Sequence, residues 1–289
     1  MTDNRIGRSA AAAPGLDLDA YFRRIGYAGP REPTLGLLRE IVLRHTQTIP
    51  FENLNPWLRW PVYLDLPSLQ HKIVRRGRGG YCFEQNGLLR HVLLALGFTV
   101  TPLAARVLWM RPPDAETPRS HMLLLVTVEG QPYIVDVGFG GMTPTGVLRL
   151  EPEVPQATPH EPYRLMRAGD SFVLQAEVRG EWGTLYRFDL HEQLHVDYEV
   201  ANWYVSTHPQ SHFVTGLSAA RAAPDRRYTL SNTRLAVHHR GGHTEQHQLT
   251  SVEELRAALQ DTFLLTLPEE PALDIALQRL VDQAREELR

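Results

Sequence analysis

The chain contains one cysteine, Cys82, and its neighbours in sequence favour a reactive thiol. The preceding stretch Arg76–Tyr81 contains three glycines and two arginines, and apolar residues at helical spacing follow it. This pattern predicts a tight turn leading into a helix that begins near Cys82. The first turn of a helix has unpaired N–H groups and the positive end of the dipole, which stabilise a thiolate nucleophile. A lone cysteine is also compatible with a small buried apolar side chain, so its chemistry depends on which groups meet it.

A histidine and an aspartate are predicted to meet on one face of a β-hairpin. His121 opens one apolar strand pattern, Asp136 ends the next, and Glu129-Gly130 suits a two-residue turn between them. That turn pairs Leu123 with Asp136, which places Asp136 one diagonal step from His121 on the same face. Such neighbours are about 7–8 Å apart, within reach of an imidazole and a carboxylate. A three-residue turn would place the two side chains on opposite faces.

These three residue types suit acyl transfer through a thioester. A cysteine thiolate is a strong nucleophile, and an imidazole within hydrogen-bond distance takes the thiol proton. A carboxylate on the other ring nitrogen fixes the tautomer and stabilises the imidazolium. The alternative is that His121 is a polar residue at the end of a strand and that Asp136 is a turn residue. Because the chain has 13 histidines, spacing alone leaves both interpretations open.

Composition indicates a globular protein without a strong electric field. The 289 residues are 43% hydrophobic and 22% charged, with a net charge of -3 and a pI near 6.5. This balance argues against nucleic acid or an anionic membrane as a partner. One cysteine allows no internal disulfide and no cysteine-based zinc site. The Ser9–Ala13 run is too short for a signal-peptide core, so we expect a cytoplasmic protein with a flexible tail at residues 1–14.

The hydrophobic pattern changes along the chain. Up to about residue 97 the spacing is helical, with Thr34 and Ser68 as predicted N-caps. From Phe98 onward the pattern alternates. The predicted strands are Thr99–Val107, His121–Val128, Tyr133–Val137, Tyr163–Leu165, Phe172–Val178 and Trp182–Asp189. Residues from 211 onward mix strands with helices, one of them capped by Ser251, and helices followed by strands predict an α+β fold.

Five motifs, taken in order along the chain, resemble those of the arylamine N-acetyltransferase family. They are Ile49–Leu54, Arg78–Asn86, Ser120–Leu124, Asp136–Gly141 and Asn202–Pro209. The second is similar to the family's active-site signature, and the third and fourth are similar to its histidine and aspartate motifs. The resemblance covers residues 17–215, which is more specific than one short motif, and it is weak beyond Phe213.

The resemblance implies a three-part α+β architecture with a cysteine-protease-like core. The implied parts are a helical bundle at residues 1–97 with the nucleophile, an antiparallel β-barrel at 98–210 with the histidine and aspartate, and an α/β lid at 211–289. It also implies a ping-pong reaction in which acetyl-CoA acetylates Cys82. Acetyl-CoA is then a cosubstrate, and no cofactor or metal is permanently bound. An arylamine, arylhydrazine or N-hydroxyarylamine takes the acetyl group.

Carried over by position, the resemblance assigns Cys82 as nucleophile, His121 as base and then acid, and Asp136 as the residue that orients the imidazole. The implied substrate-binding residues are Phe51, Gly138, Phe139, Gly140 and Phe213. Phe51 and Phe139 would line the acyl and arylamine pocket, and Phe213 would contact the acceptor or CoA. The glycines would let the acyl group or pantetheine approach the backbone.

Three other functions remain open at this point. An amide synthase of macrolactam assembly shares these motifs but takes its acyl group from a carrier-protein thioester. A thiol hydrolase or protease would use the same three residues without an amine acceptor. A binding module would contain an inactive triad, and its cysteine would react as an ordinary thiol.

Two further clusters have structural interpretations. Arg78 and Glu84 are predicted to hold the glycine-rich loop together, because charged residues seldom lie unpaired in such a turn. His238, His239 and His243 indicate a hairpin tip rather than a metal site, because no cysteine or clear fourth ligand stands nearby.

Overall fold

The computed structural model describes residues 15–112 and 114–287, so the predicted tail at residues 1–14 lies outside it. The helices are α1 Leu18–Arg24, α2 Leu35–Thr48, α3 Leu54–Trp57, α4 Leu66–Leu69, α5 Cys82–Ala95, α6 His195–Thr207, α7 His212–Thr215, α8 Val252–Ala257 and α9 Pro271–Glu287. The π-helical turns Gln70–Arg75 and Ala258–Thr262 extend α4 and α8. Within the described ranges, no helix combines the length and apolar character needed to cross a membrane.

The strands form two separate sheets. They are β1 Phe51–Glu52, β2 Thr99–Val107, β3 Arg119–Val128, β4 Gln131–Val135, β5 Leu148–Arg149, β6 Tyr163–Ala168, β7 Ser171–Val178, β8 Glu181–Phe188, β9 Ser218–Ala223, β10 Arg226–Ser231, β11 Arg234–His239 and β12 Thr244–Gln248. Helices dominate the first hundred residues and strands follow, which confirms the predicted α+β fold class.

The predicted helix caps are confirmed at two positions and wrong at one. The hydroxyls of Thr34 and Ser251 each accept a hydrogen bond from an N–H in the first turn of the following helix, both at 3.2 Å. Ser68 instead donates its own N–H to the carboxylate of Asp65 at 3.0 Å. The helix begins earlier because Pro67 fits a first turn, where its missing N–H needs no partner.

A seven-stranded antiparallel sheet, in the order β5-β4-β3-β2-β8-β7-β6, curls into a nearly closed barrel. Isolated bridges join Pro152 to Leu165 and Gln156 to Tyr163, which brings the segment after β5 against β6. The six strands predicted for this region are all present, with ends within three residues of the prediction. One buried apolar cluster fills the inside, as the alternating pattern requires.

The hairpin of β3 and β4 has the predicted register. Val128 pairs with Gln131 and Leu124 pairs with Val135, so the turn contains two residues. Both turn residues, Glu129 and Gly130, have positive φ, at 51° and 76°. This geometry matches the twist of the flanking strands, and glycine adopts it without strain. The register therefore keeps residues 121 and 136 on one face.

A second sheet joins distant parts of the chain, in the order β1-β9-β10-β11-β12. The short strand β1 pairs with β9 through Phe51 and Ala220, so the N-terminal motif becomes one edge of a sheet from the C-terminal third. β9 and β12 were not predicted, because one is rich in alanine and the other is almost wholly polar. Apolar residues of α8 and α9 cover this sheet.

Helix α6 falls inside the range predicted for the barrel. Its Tyr198 and Val205 belong to the same buried cluster as the side chains of α1, α2 and α5. The hydroxyl of Tyr81 donates a hydrogen bond to Asn202 of α6, which ties this helix to the loop before Cys82. The division into three parts at residues 97 and 210 stays a prediction.

Candidate active site

Cys82 is the first residue of α5 and is only 3% exposed. The glycine-rich turn before it packs tightly, since a Cβ on Gly79 would lie 2.0 Å from the carbonyl oxygen of Pro50. The Glu84 carboxylate accepts a hydrogen bond from the Tyr81 N–H at 3.2 Å and so caps the helix. The sulfur therefore lies at the positive end of a well-anchored helix.

The imidazole of His121 is hydrogen-bonded to Asp136, and both side chains are buried. Nε2 of His121 lies 2.6 Å from Oδ2 of Asp136. The sulfur of Cys82 lies 3.7 Å from the carbonyl oxygen of Ser120, the residue before His121. Burial by itself would lower the pKa of His121, but the charge and hydrogen bond of Asp136, helped by Cys82, raise it to about 10. The fold thus brings together all three residues that the sequence singled out.

Asn86 connects the nucleophile helix to the aspartate, a role that the sequence analysis did not assign. Its amide donates to Asp136 Oδ1 at 3.0 Å and to the Met122 carbonyl at 2.8 Å, and it accepts from the Val137 N–H at 3.1 Å. Burial would raise the pKa of Asp136, but His121 and the hydrogen bonds from the Asn86 amide and the Gly138 N–H lower it. The available signal was spacing, because Asn86 is one turn after Cys82 on the same helix face.

Tyr186 is the second neighbour that sequence reasoning missed. Its ring centroid lies 4.9 Å from that of His121 and 5.2 Å from that of Phe139. The hydroxyl is buried and has no hydrogen-bond partner among the described residues. Burial, with the charge of Asp136, raises the pKa of Tyr186. No sequence signal marks it, since an aromatic residue is common in any strand.

The three phenylalanines predicted to bind substrate are half-buried and divide into two groups. Phe139 meets His121 edge-to-face, with ring centroids 5.1 Å apart. Phe51 and Phe213 contact each other at 5.9 Å, and Phe213 also meets Tyr81 at 5.3 Å. Aromatic side chains therefore lie against both the histidine and the loop before the nucleophile. Their part in substrate binding stays a prediction.

The two predicted glycines differ in what they contact. A Cβ on Gly138 would lie 2.7 Å from Cα of Cys82 and 3.1 Å from the Asn86 amide, so glycine lets this loop pack directly on α5. Gly140 has φ of +88°, and a Cβ there would lie 3.7 Å from the ring of Phe51. Close packing on α5 therefore explains why position 138 is a glycine, without reference to any substrate.

A buried charged cluster lies under the glycine-rich loop. Arg78 donates to Glu52 at 2.8 Å, and Lys72 donates to Glu84 at 2.7 Å and lies 3.6 Å from Glu52. Burial raises the pKa of Glu52, but Arg78 and Lys72 outweigh it and lower the value. The predicted structural role of Arg78 and Glu84 is confirmed. Glu52 and Lys72 were not recognised from the sequence, because their partners are distant along the chain.

We expect Arg78→Met to lower the free energy of unfolding by about 3 kcal/mol, because removing one partner leaves the charge of Glu52 buried with weaker compensation. Chemical denaturation would measure this loss. Arg76→Met, at an exposed position of the same loop, is the matched control and should change stability by less than about 0.5 kcal/mol. Equal effects of the two variants would contradict the structural role of the Arg78–Glu52 pair.

The histidines near residue 240 are part of the hairpin of β11 and β12. His238 is hydrogen-bonded to the hydroxyls of Thr229 and Thr244, at 3.0 and 3.2 Å. His239 is hydrogen-bonded to Glu245 at 2.7 Å. In the described part of the chain, no group of three or more histidine, cysteine or acidic side chains is arranged to hold a metal ion.

The site combines a buried cysteine on a helix with a histidine and an aspartate from an adjoining barrel, and a hydrogen bond orients the imidazole. This arrangement is that of thiol enzymes with a cysteine-protease-like core. A sequence model of the N-acetyltransferase family matches residues 34–272. The chain belongs to the arylamine N-acetyltransferase family, as its predicted motifs implied, and it is an acyltransferase.

The chain is similar in sequence to individual members of this family over most of their length. An arylamine N-acetyltransferase of Mycobacterium tuberculosis (strain ATCC 25618 / H37Rv) is 49% identical over 273 residues, which cover 92% of this chain and 96% of the relative. A Salmonella typhimurium relative, named arylamine N-acetyltransferase / N-hydroxyarylamine O-acetyltransferase, is 41% identical over 85% of this chain and 88% of its own. The structure of Mycobacterium marinum arylamine N-acetyltransferase in complex with CoA has a TM-score of 0.88 and 48% identity, covering 91% of this chain and 99% of that one.

Proposed function

We propose that this chain transfers an acetyl group from acetyl-CoA to an arylamine, arylhydrazine or N-hydroxyarylamine, through a thioester on Cys82. The observation that carries the proposal is the buried hydrogen bond between His121 and Asp136 beside the Cys82 sulfur. The names of the relatives support the arylamine and N-hydroxyarylamine acceptors, and the CoA complex of the M. marinum protein supports the donor. Acetyl-CoA acts as a cosubstrate that is consumed, not as a resident cofactor.

In the first half-reaction, the thiolate of Cys82 attacks the thioester carbonyl carbon of acetyl-CoA. Because Nε2 of His121 is engaged by Asp136, Nδ1 is the ring nitrogen left to exchange a proton with sulfur. The bond between the acetyl carbon and the CoA sulfur breaks, and CoA leaves with the proton of the imidazolium. The enzyme then carries an acetyl thioester and a neutral His121.

In the second half-reaction, the acceptor attacks the acetyl carbon on Cys82 through the nitrogen of an amine or hydrazine, or through the oxygen of an N-hydroxyarylamine. Neutral His121 takes the proton that the attacking atom loses, and the cysteine leaves as a thiolate. The products are the acetylated acceptor and the original thiolate–imidazolium pair. Asp136 keeps its charge throughout and stabilises the imidazolium whenever it forms.

The half-buried aromatic residues support an aryl acceptor. Phe139 beside His121 and Phe51 with Phe213 beside the nucleophile loop would contact an aromatic ring and the acetyl group. Gly138 and Gly140 would let the acyl group or pantetheine approach the backbone. We also propose a cytoplasmic location, which the single free cysteine supports, because that compartment keeps thiols reduced.

Thiol release from acetyl-CoA tests this function. Purified protein should release free CoA continuously when an aromatic amine or hydrazine is present, and should stop after acetylating itself once when no acceptor is present. Equal release with and without acceptor would indicate a hydrolase. Failure with acetyl-CoA, combined with turnover of a carrier-protein thioester, would indicate an amide synthase.

A further inference from the structure

A small cavity lies between the nucleophile helix α5 and the start of α6. Its floor is one face of α5, formed by Phe83, Gly87, Arg90 and His91, which recur at helical spacing. The segment Glu192–His195, where α6 begins, forms the opposite wall. The volume is about 110 Å³. Pockets for drug-sized ligands measure about 300–1,000 Å³, so this cavity is too small for CoA but has room for a small ion with bound water.

One guanidinium, two imidazoles and one carboxylate surround the cavity. Arg90, His91 and His195 line it, and Glu192 is the acidic residue among the lining side chains. Burial, with Arg90 and His195 nearby, lowers the pKa of His91, so near neutral pH this ring offers an uncharged N–H donor. Helix α6 begins at His195, so the positive end of its dipole adds to the same field.

Arg90 also has an unsatisfied donor. Its Nε atom is buried and has no hydrogen-bond partner in the described part of the chain, so Glu192 does not satisfy it. A buried donor without a partner destabilises the folded state, and more so when it is charged. The groups that would remove this cost are those that accept hydrogen bonds from a guanidinium, above all carboxylate and phosphate oxygens.

We infer that this cavity binds a small oxyanion, of the size of phosphate or acetate, with the Arg90 guanidinium as its main ligand and His91 and His195 beside it. Phe83 and Met122 line the same cavity, and they directly follow the nucleophile and the catalytic histidine in sequence. A bound oxyanion would therefore stabilise α5 against the start of α6, directly behind the active site. This inference does not depend on acetyl transfer, because the binding test below needs neither acetyl-CoA nor an amine.

Thermal unfolding in the presence of phosphate, and separately of acetate, tests the site in a buffer free of both ions, with sodium chloride holding the ionic strength constant. The two ions distinguish a tetrahedral from a planar oxyanion. At least one should raise the Tm of the unmodified protein with saturation at one site, since a ligand that binds only the folded state stabilises it. Absence of a Tm rise with both ions would overturn the inference.

Three variants assign the effect to this cavity. Arg90→Gln should weaken the apparent affinity at least about tenfold, and Glu192→Gln should strengthen it by about fivefold, because each changes one charge at the ion. Arg75→Gln, at an exposed position, is the control and should leave the affinity unchanged. The same Tm rise in Arg90→Gln as in the unmodified protein would contradict the site.

An NMR titration of the unmodified protein keeps the inference testable if Arg90→Gln fails to fold. The ring carbon-bound protons of His91 and His195 should shift together with one saturating curve as the oxyanion is added. Shifts that follow ionic strength alone, or that appear equally at the exposed His71, would mean that no specific site exists.

Discussion

Replacing Cys82 with alanine is expected to lower kcat for acetyl transfer by at least about 10⁵-fold, the largest effect of any single change proposed for this protein. The sulfur is the only atom in this group that can form the thioester, and neither His121 nor Asp136 can replace it. A coupled assay of thiol release, with an aromatic amine as acceptor, measures the loss. Mass spectrometry after mixing with acetyl-CoA should show an acetyl adduct on the unmodified protein and none on Cys82→Ala.

The matched control for that loss is Ser120→Ala. The Ser120 carbonyl oxygen, which lies 3.7 Å from the Cys82 sulfur, belongs to the backbone and is still present after the substitution. This variant should keep kcat within about threefold of the unmodified protein, since surface and boundary changes seldom disturb a core. Full turnover by Cys82→Ala would end the proposed mechanism, whatever the acceptor.

Asp136→Asn is expected to lower kcat by about 10³- to 10⁴-fold while leaving the fold intact. The amide has almost the same shape as the carboxylate, but it removes the charge that stabilises the His121 imidazolium. We therefore expect the pKa of His121, raised to about 10 by Asp136 and Cys82 despite burial, to fall by several units. NMR titration of the histidine ring protons measures that change separately from the rate.

The loss of stability caused by Asp136→Asn is expected to depend on pH. A histidine whose pKa is raised on folding contributes stability that is complete below its unfolded pKa of about 6.5 and is lost as pH rises toward about 10. An aspartate whose pKa is lowered contributes stability above its unfolded pKa of about 3.9. The stability difference between unmodified protein and Asp136→Asn should therefore be largest between about pH 4 and 6.5 and should narrow above that range.

Asp189→Asn is the matched control for these experiments. Asp189 also forms an ion pair, with Arg119 at 2.5 Å, but the pair is partly exposed and does not include His121. Its substitution should leave the pKa of His121 and kcat nearly unchanged. If Asp136→Asn kept the pKa of His121 near 10, the charge of Asp136 would not be its cause, and the assigned role of Asp136 would be wrong.

Local sequence determined the two pieces of the site. The turn Glu129-Gly130 fixed the hairpin register, and with it the shared face of His121 and Asp136, because a two-residue turn allows only one pairing of the strands. The glycine-rich stretch and the helical pattern after it likewise placed Cys82 at a helix start. Both depend on interactions within about 20 residues, where backbone preferences decide the outcome.

Contacts between distant segments were decided only by the tertiary structure. Asn86 contacts Asp136, Arg78 contacts Glu52, and the hydroxyl of Tyr186 lies unpaired beside the triad. The two residues in each of these contacts are more than 20 positions apart, and the local sequence around one residue does not indicate its partner. The strand pairing of Phe51 with Ala220 is of the same kind.

The sequence by itself indicated the family, the change from helices to strands near residue 98, and the three residues proposed to carry the chemistry. The tertiary structure decided how the nucleophile helix is held, because burial and charge pairing depend on which surfaces meet when the chain packs. It also decided that Arg90, His91 and His195 line one cavity between α5 and the start of α6. A cavity is space between elements, and no residue type or spacing encodes it locally.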